Sequence, residues 1–294
     1  MANVLQRDKQ MTILNLLVEG NSIRSTNRLT GVHMTTILNL LVKFGDQCRT
    51  FLDRTMRDLT LREIQCDEIW TFVAKKQARL TTLEKESRGD IGDMYLWTAI
   101  DRDTKLVPTF AIGKRSADMA RRLMVDLYGR LAHHRPHDSD SHDYKEGRYD
   151  PIARVFTDGF PGYPEAVDLA FGPYVEFGTL IKDYRNASLP YTPSEIVGAK
   201  RTVFRGNISE SDICTSHVER NNLTIRTFMK RFARLSLGFS KKLDNLAAAT
   251  AMHMAYYNFC WQPATLDHYA TPAKAAGITN RAWTFADLFE RVQG

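Results

Sequence analysis

Three acidic residues sit in segments able to fix a carboxylate: Asp67 in Cys66-Asp67-Glu68-Ile69-Trp70, Asp158 in Val155-Phe156-Thr157-Asp158-Gly159, and Glu219 in Ser216-His217-Val218-Glu219-Arg220-Asn221-Asn222. The first two close short β-like runs, and the third opens a long basic stretch with helical spacing. Three hard oxygen donors from separate elements are the kind of set that holds divalent cations against phosphate, so the chemistry they suggest is cutting or joining phosphodiesters. Each has a plainer explanation. Asp158 before Gly159 reads as a turn, Asp67 could pair with a lysine, and Ser216-x-x-Glu219 fits a capping box. An ionised Asp67 in an apolar strand nevertheless costs several kcal/mol unless it is paired or metal-bound. Asp101 and Asp103 compete for the second carboxylate, but a hairpin turn accounts for them; alternation places Glu68 on the opposite face from Asp67.

These carboxylates need a sheet to bring them together. Ile64 to Val73, Met94 to Ile100 and Leu106 to Ile112 are β-rich, and Asp101-Arg102-Asp103-Thr104-Lys105 between the last two reads as a hairpin turn. Apolar spacing at Met119, Leu123, Leu127 and Leu131 predicts a helix over 116–131, and Ile152 to Phe156 gives a fourth strand. This alternation predicts an α/β domain with a mixed sheet, where Asp67 and Asp158 are neighbours if their strands pair. Helix is expected over 216–239 and again over 241–261. Arg226, Lys230 and Arg234 recur at i+4 as a basic stripe, which with Arg220 and Arg231 is the pattern of a surface that grips a phosphate backbone; a merely solvated face is the alternative. Residues 161–214, with five prolines, yield no clear element.

Ahead of the sheet, residues 9–44 predict three short helices. Ser22 suits the N-cap of the second, Gly31 supplies a tight turn, and Ile37, Leu38 and Leu41 face inward on the third. His33, Thr35, Thr36, Asn39 and Lys43 then lie outward, as on the reading helix of a helix-turn-helix; a hairpin for dimerisation or packing is the alternative. The expected division is a helix-turn-helix DNA-binding domain over 1–45, a charged connector of helical propensity over 46–62, a catalytic domain over 63–262 and a tail over 263–294.

The 294 residues carry a net charge of +6, which favours a polyanionic partner. Cys48, Cys66, Cys214 and Cys260 are too scattered for a zinc ribbon or a disulfide framework. No signal-like or membrane-length apolar run is present, so a cytoplasmic protein without a membrane partner is expected. His133 to Asp150 reads as a solvated loop; its four histidines have no spacing that would order them on a metal.

The motifs also resemble a known family. Gln65 to Val73, Trp97 to Pro108, Thr157-Asp158-Gly159, Val218 to Thr224, Arg231 to Leu235, Phe239 to Lys242 and Tyr257-Asn258-Phe259 are similar, in order, to the IS1 family of bacterial insertion-sequence transposases. The resemblance spans nearly the whole chain, although the amino-terminal cysteine cluster of some members is missing and Met34 and Leu40 make the reading helix unusually apolar. It implies a ribonuclease H-like α/β fold and a DDE transposase, with Asp67, Asp158 and Glu219 as both catalytic residues and ligands of two Mg²⁺ ions, Mn²⁺ being able to substitute. It further implies double-stranded DNA partners (terminal repeats and target), a homodimer or larger assembly, and a bacterial, nucleoid-associated setting. Two rivals are kept: a decayed copy acting only as a DNA-binding protein, and a tyrosine-type recombinase built on His217, Arg220, His253 and Tyr256 or Tyr257.

Overall fold

The computed structural model describes residues 5–132, 151–185, 195–233 and 236–293. Helices α1 (Arg7–Val18), α2 (Ile23–Thr30) and α3 (Met34–Thr55) come first. Ser22 caps α2 by accepting from the Ser25 amide at 3.0 Å, and Gly31 ends it at φ 71°, a conformation that a side chain would strain. His33, Thr35, Thr36, Asn39 and Lys43 lie on the outer side of α3, while Ile37 and Leu41 are buried.

The expected connector over 46–62 is helical through Thr55, in keeping with its propensity, but it continues α3 unbroken from Phe44. Phe44, Cys48, Phe51 and Leu52 form a buried stripe at helical spacing, while Asp46, Arg49, Asp53 and Arg54 occupy the other face. The stripe packs on a long helix near the carboxyl end, α8 (Leu243–Phe259), with Phe51 edge-on to Phe259 at 5.1 Å between centroids. Where the two helices touch, a Cβ on Gly45 would lie 2.4 Å from the Ala248 carbonyl oxygen. Gly45→Ala is therefore expected to lower stability by about 2–3 kcal/mol, seen as a shifted urea midpoint at unchanged m-value.

Among the described residues, six strands form one mixed sheet in the order β3-β2-β1-β4-β5-β6. They are β1 (Glu63–Val73), β2 (Gly92–Asp101), β3 (Thr109–Gly113), β4 (Ala153–Thr157), β5 (Val175–Arg185) and β6 (Glu195–Arg205). The first three form an antiparallel meander, β4 lies parallel to β1, β5 lies parallel to β4, and β6 returns antiparallel. Between β1 and β2 lies the short α4 (Thr82–Ser87). Helices α5 (Ala117–Tyr128) and α6 (Tyr163–Phe171) lead into β4 and β5 and pack together through Tyr128 and Phe171. A central antiparallel meander extended by parallel strands through helical crossovers is the ribonuclease H-like α/β arrangement, as expected. The hairpin turn also forms, with Asp101 Oδ2 accepting from the Thr104 amide and hydroxyl at 2.8 Å each.

Two further expectations are corrected. The helix opening at Ser216, α7 (Ser216–Phe228), stops well short of residue 239, and Lys230–Phe232 is a 3-10 turn. The backbone leaves the helix to bind the edge of β1: the Thr71 hydroxyl donates to the Arg231 carbonyl at 2.5 Å and the Ala74 amide to the Ser240 carbonyl at 2.8 Å. The supposed tail holds α9 (Pro272–Ala275) and α10 (Phe285–Gln293), the latter burying Leu288, Phe289 and Val292 and stacking Phe289 on Phe44. Among the described residues, no helix is long and apolar enough to cross a membrane. All four cysteines are free, Cys48 and Cys66 buried and the other two half-buried.

Candidate metal centre

Parallel pairing of β1 with β4 ends with Cys66 opposite Thr157, so Asp67, midway along β1, and Asp158, just past β4, sit side by side where that pairing stops. Glu68 joins them: these three residues offer carboxylate oxygens all within 4.8 Å of one another. Alternation along β1 does send Glu68 to the other face, toward Tyr163 of α6. Asp158 has left its strand and lies between the faces, which lets it meet both neighbours.

Each carboxylate has a specific brace. Asp67 Oδ1 accepts from the Glu68 amide at 2.8 Å, and Oδ2 accepts from Asn222 Nδ2 at 2.6 Å. Asp158 Oδ1 accepts from the Phe160 amide at 3.0 Å. Arg115, on the connection from β3 to α5, lies 3.2 Å from Glu68 Oε2 and 3.3 Å from Asp158 Oδ2, its guanidinium over the Phe160 ring at 4.7 Å. Only 2% of the Glu68 side chain is exposed, and besides Arg115 it faces the Tyr163 hydroxyl. Three carboxylates whose oxygens lie this close together are a hard donor set that fits a divalent cation.

The electrostatics agree with that fit. Burial, then the charge of Asp158, pushes Asp67 up to about 7, with the Glu68 amide and Arg226 holding it down and Glu219 raising it further. Burial, then Asp158, also pushes Glu68 up to about 7 against the Tyr163 hydroxyl and Arg115, and burial raises Asp158. In the metal-free fold these carboxyls keep protons that the unfolded chain releases near pH 4. The stability they contribute is thus present at acid pH and lost as pH rises through about 7. Metal-free protein in EDTA is expected to lose Tm between about pH 5 and 8, and saturating Mn²⁺ to flatten that slope. A metal-free Tm that climbs across this window contradicts the assignment.

Glu219 arrives on the first turn of α7, which is docked on β1 by Gln65: the Gln65 Oε1 accepts from the amides of His217 at 2.9 Å and Val218 at 3.3 Å. The capping-box alternative does not form. The N-cap is Thr215, with no side-chain cap, and Glu219 Oε1 instead accepts from the Thr215 hydroxyl at 2.7 Å and from Lys182 Nζ on β5. Glu219 is near enough to raise Asp67 yet stands outside the 4.8 Å group. Asn222, one turn further along α7, is the residue that touches Asp67.

The other candidate residues scatter more widely. Arg220 and Lys230 are exposed, Arg226 faces the Asp67 side of α7, and Arg231 is half-buried and donates to Ser240 Oγ at 2.7 Å. With α7 ending at Phe228, the i+4 stripe is interrupted; Arg234 lies outside the described residues, as does the 133–150 loop. The recombinase set does not converge. His253 and Tyr257 are buried in α8, Tyr256 donates to Glu19 at 2.7 Å, and His217 Nδ1 faces Lys105 Nζ at 3.3 Å.

No protein-family model matches the chain, and no curated protein matches its sequence. Among solved structures it is similar to the Mos1 transposase paired-end complex with left transposon end, at 13% identity, 60% coverage of each chain and a TM-score of 0.23. It is also similar to the Mos1 strand transfer complex, at 14% identity over 60% of this chain and 59% of that one, TM-score 0.23. A pre-cleavage Mos1 transpososome shares 11% identity over 86% of this chain and 78% of that one, TM-score 0.25. The chain thus spans 60% of the length of the first of these, and the sheet order, rather than these distant likenesses, carries the fold assignment.

Proposed function

We propose that this protein is a DDE-type DNA transposase of the IS1 kind, which cleaves DNA at element ends and transfers the freed strand to a target. The observation that carries the reading is the convergence of Asp67 on β1 and Asp158 just past β4, where the pairing of these parallel strands stops, with Glu68 in the same oxygen cluster and Glu219 arriving on α7. Bound Mg²⁺ or Mn²⁺ would supply Lewis acidity to the scissile phosphate and lower the pKa of the attacking water or 3′-hydroxyl.

The chain's own residues have the remaining tasks. Asp67 and Asp158 hold the cation, and Glu219 completes the set. Asn222 fixes the Asp67 carboxylate through its amide, and Arg115 and the Phe160 amide fix Asp158. Arg220, Arg226 and Lys230 lie along or just past the same helix, where cations oppose a phosphate backbone without reading sequence. The outer face of α3, bearing His33, Thr35, Thr36, Asn39 and Lys43, reads the terminal repeat in the helix-turn-helix manner, with residues 1–45 as the recognition unit. Two DNA ends must be held at once, so the working form is a homodimer or larger.

The test is cleavage and strand transfer on duplexes carrying candidate terminal repeats. Metal-dependent release of a 3′-hydroxyl, without a protein-linked intermediate, is the expected outcome. Full activity in EDTA, or a phosphotyrosyl adduct, would contradict it.

A further inference from the structure

The carboxylate site has an ammonium group of its own. Lys182 lies on β5 three residues past Thr179, the residue paired with the end of β4 at Thr157, so it overhangs the strand end where Asp158 sits. It shares a face with Leu180, which is buried with Phe156 and Ile213, and this directs the lysine toward α7. There its ammonium pairs with Glu219 Oε1, with only 17% of the lysine side chain exposed against 43% for the glutamate. The Thr215 hydroxyl donates to that same oxygen. The oxygen of Glu219 best held in the fold is therefore engaged by two donors, away from the Asp67, Glu68 and Asp158 cluster.

Charge around the site is nearly balanced. Asp67, Glu68, Asp158 and Glu219 face Arg115, Lys182 and Arg226, and of these three cations it is Lys182 that holds Glu219. With most of its side chain out of water, the Lys182 ammonium keeps its partner, because leaving that charge alone in such a setting is costly.

Resting on the metal-dependent reading above, we propose that Lys182 is a positioning residue that competes with the divalent cation for Glu219. In the metal-free protein it holds the glutamate out of the ligand set, and cation entry transfers the carboxylate from ammonium to metal. The contact is thus a brake on metal loading, and Lys182 acts on the chemistry through Glu219.

The test is Mn²⁺ titration of the full chain without DNA, followed by the paramagnetic resonance of free ion, on the wild type, Lys182→Met, Lys182→Arg, Glu219→Gln and the Lys182→Met/Glu219→Gln pair. Lys182→Met is expected to bind Mn²⁺ about five- to tenfold more tightly, and Lys182→Arg to behave as wild type. In the Glu219→Gln background the same Met substitution should lose most of that gain, because the effect passes through the glutamate. An unchanged or weaker affinity in Lys182→Met overturns the proposal. So does an equal gain in both backgrounds, which marks a simple field effect of the lost charge. Absence of Mn²⁺ binding by the wild type would instead remove the metal-dependent reading itself.

Discussion

Asp158→Asn is expected to abolish strand cleavage while making the metal-free protein more stable. The loss follows from chemistry: an amide is a poor ligand for a hard cation, and a fall of about a thousandfold or more corresponds to about 4 kcal/mol of transition-state stabilisation. The gain follows from electrostatics. Asp158 raises both Asp67 and Glu68, and its own carboxyl is raised by burial, so removing its charge relieves both neighbours at neutral pH even with Arg115 and Arg226 beside them. The amide oxygen introduced by this substitution would still accept from the Phe160 N–H, so the turn is kept, while the new NH₂ would face Arg115, which retains Glu68 as its partner. A Tm about 2–4 °C above wild type in EDTA is expected, together with inactivity in Mg²⁺ or Mn²⁺. A framework role for Asp158 predicts the reverse: lower Tm and residual activity in proportion to folded protein.

Divalent cations are expected to produce the largest stability change. An ion that binds the folded state alone stabilises it by about 2.7 kcal/mol at a hundred times its dissociation constant. For a chain of this size that is about 4 °C in Tm. The shift should be seen with Mn²⁺ and Mg²⁺, be reversed by EDTA, and be lost in Asp67→Asn, because Asp67 is held on both oxygens and points into the cluster. Equal shifts in the wild type and Asp67→Asn would place the binding elsewhere.

The sequence made Asp67 and Asp158 visible because one sits inside a β-rich run and the other just past one, and strand pairing then left little freedom in where they meet. Glu68 was hidden by the same alternation rule that identified Asp67: it does point to the opposite face, but Asp158 lies beyond its strand and bridges both sides. Lys182 could not be read because β5 and β6 fall among the prolines of 161–214, where turn signals mask the strand pattern. Its only trace is a lysine following Leu180-Ile181. The continuation of α3 past Phe44 was obscured by its charges, although Phe44, Cys48, Phe51 and Leu52 keep helical spacing through them. The early end of α7 has no proline or glycine to announce it; a tertiary hydrogen bond from Thr71 and the bridge of Ser240 to Val73 set it, and such contacts leave no local mark.

Diffraction from crystals soaked in Mn²⁺, recorded where manganese scatters anomalously, locates the cation without reference to activity. A peak bounded by carboxylate oxygens of Asp67 and Asp158, absent from Asp67→Asn crystals, is the expected result. Fully occupied manganese elsewhere on the chain, with nothing between those two side chains, would contradict it.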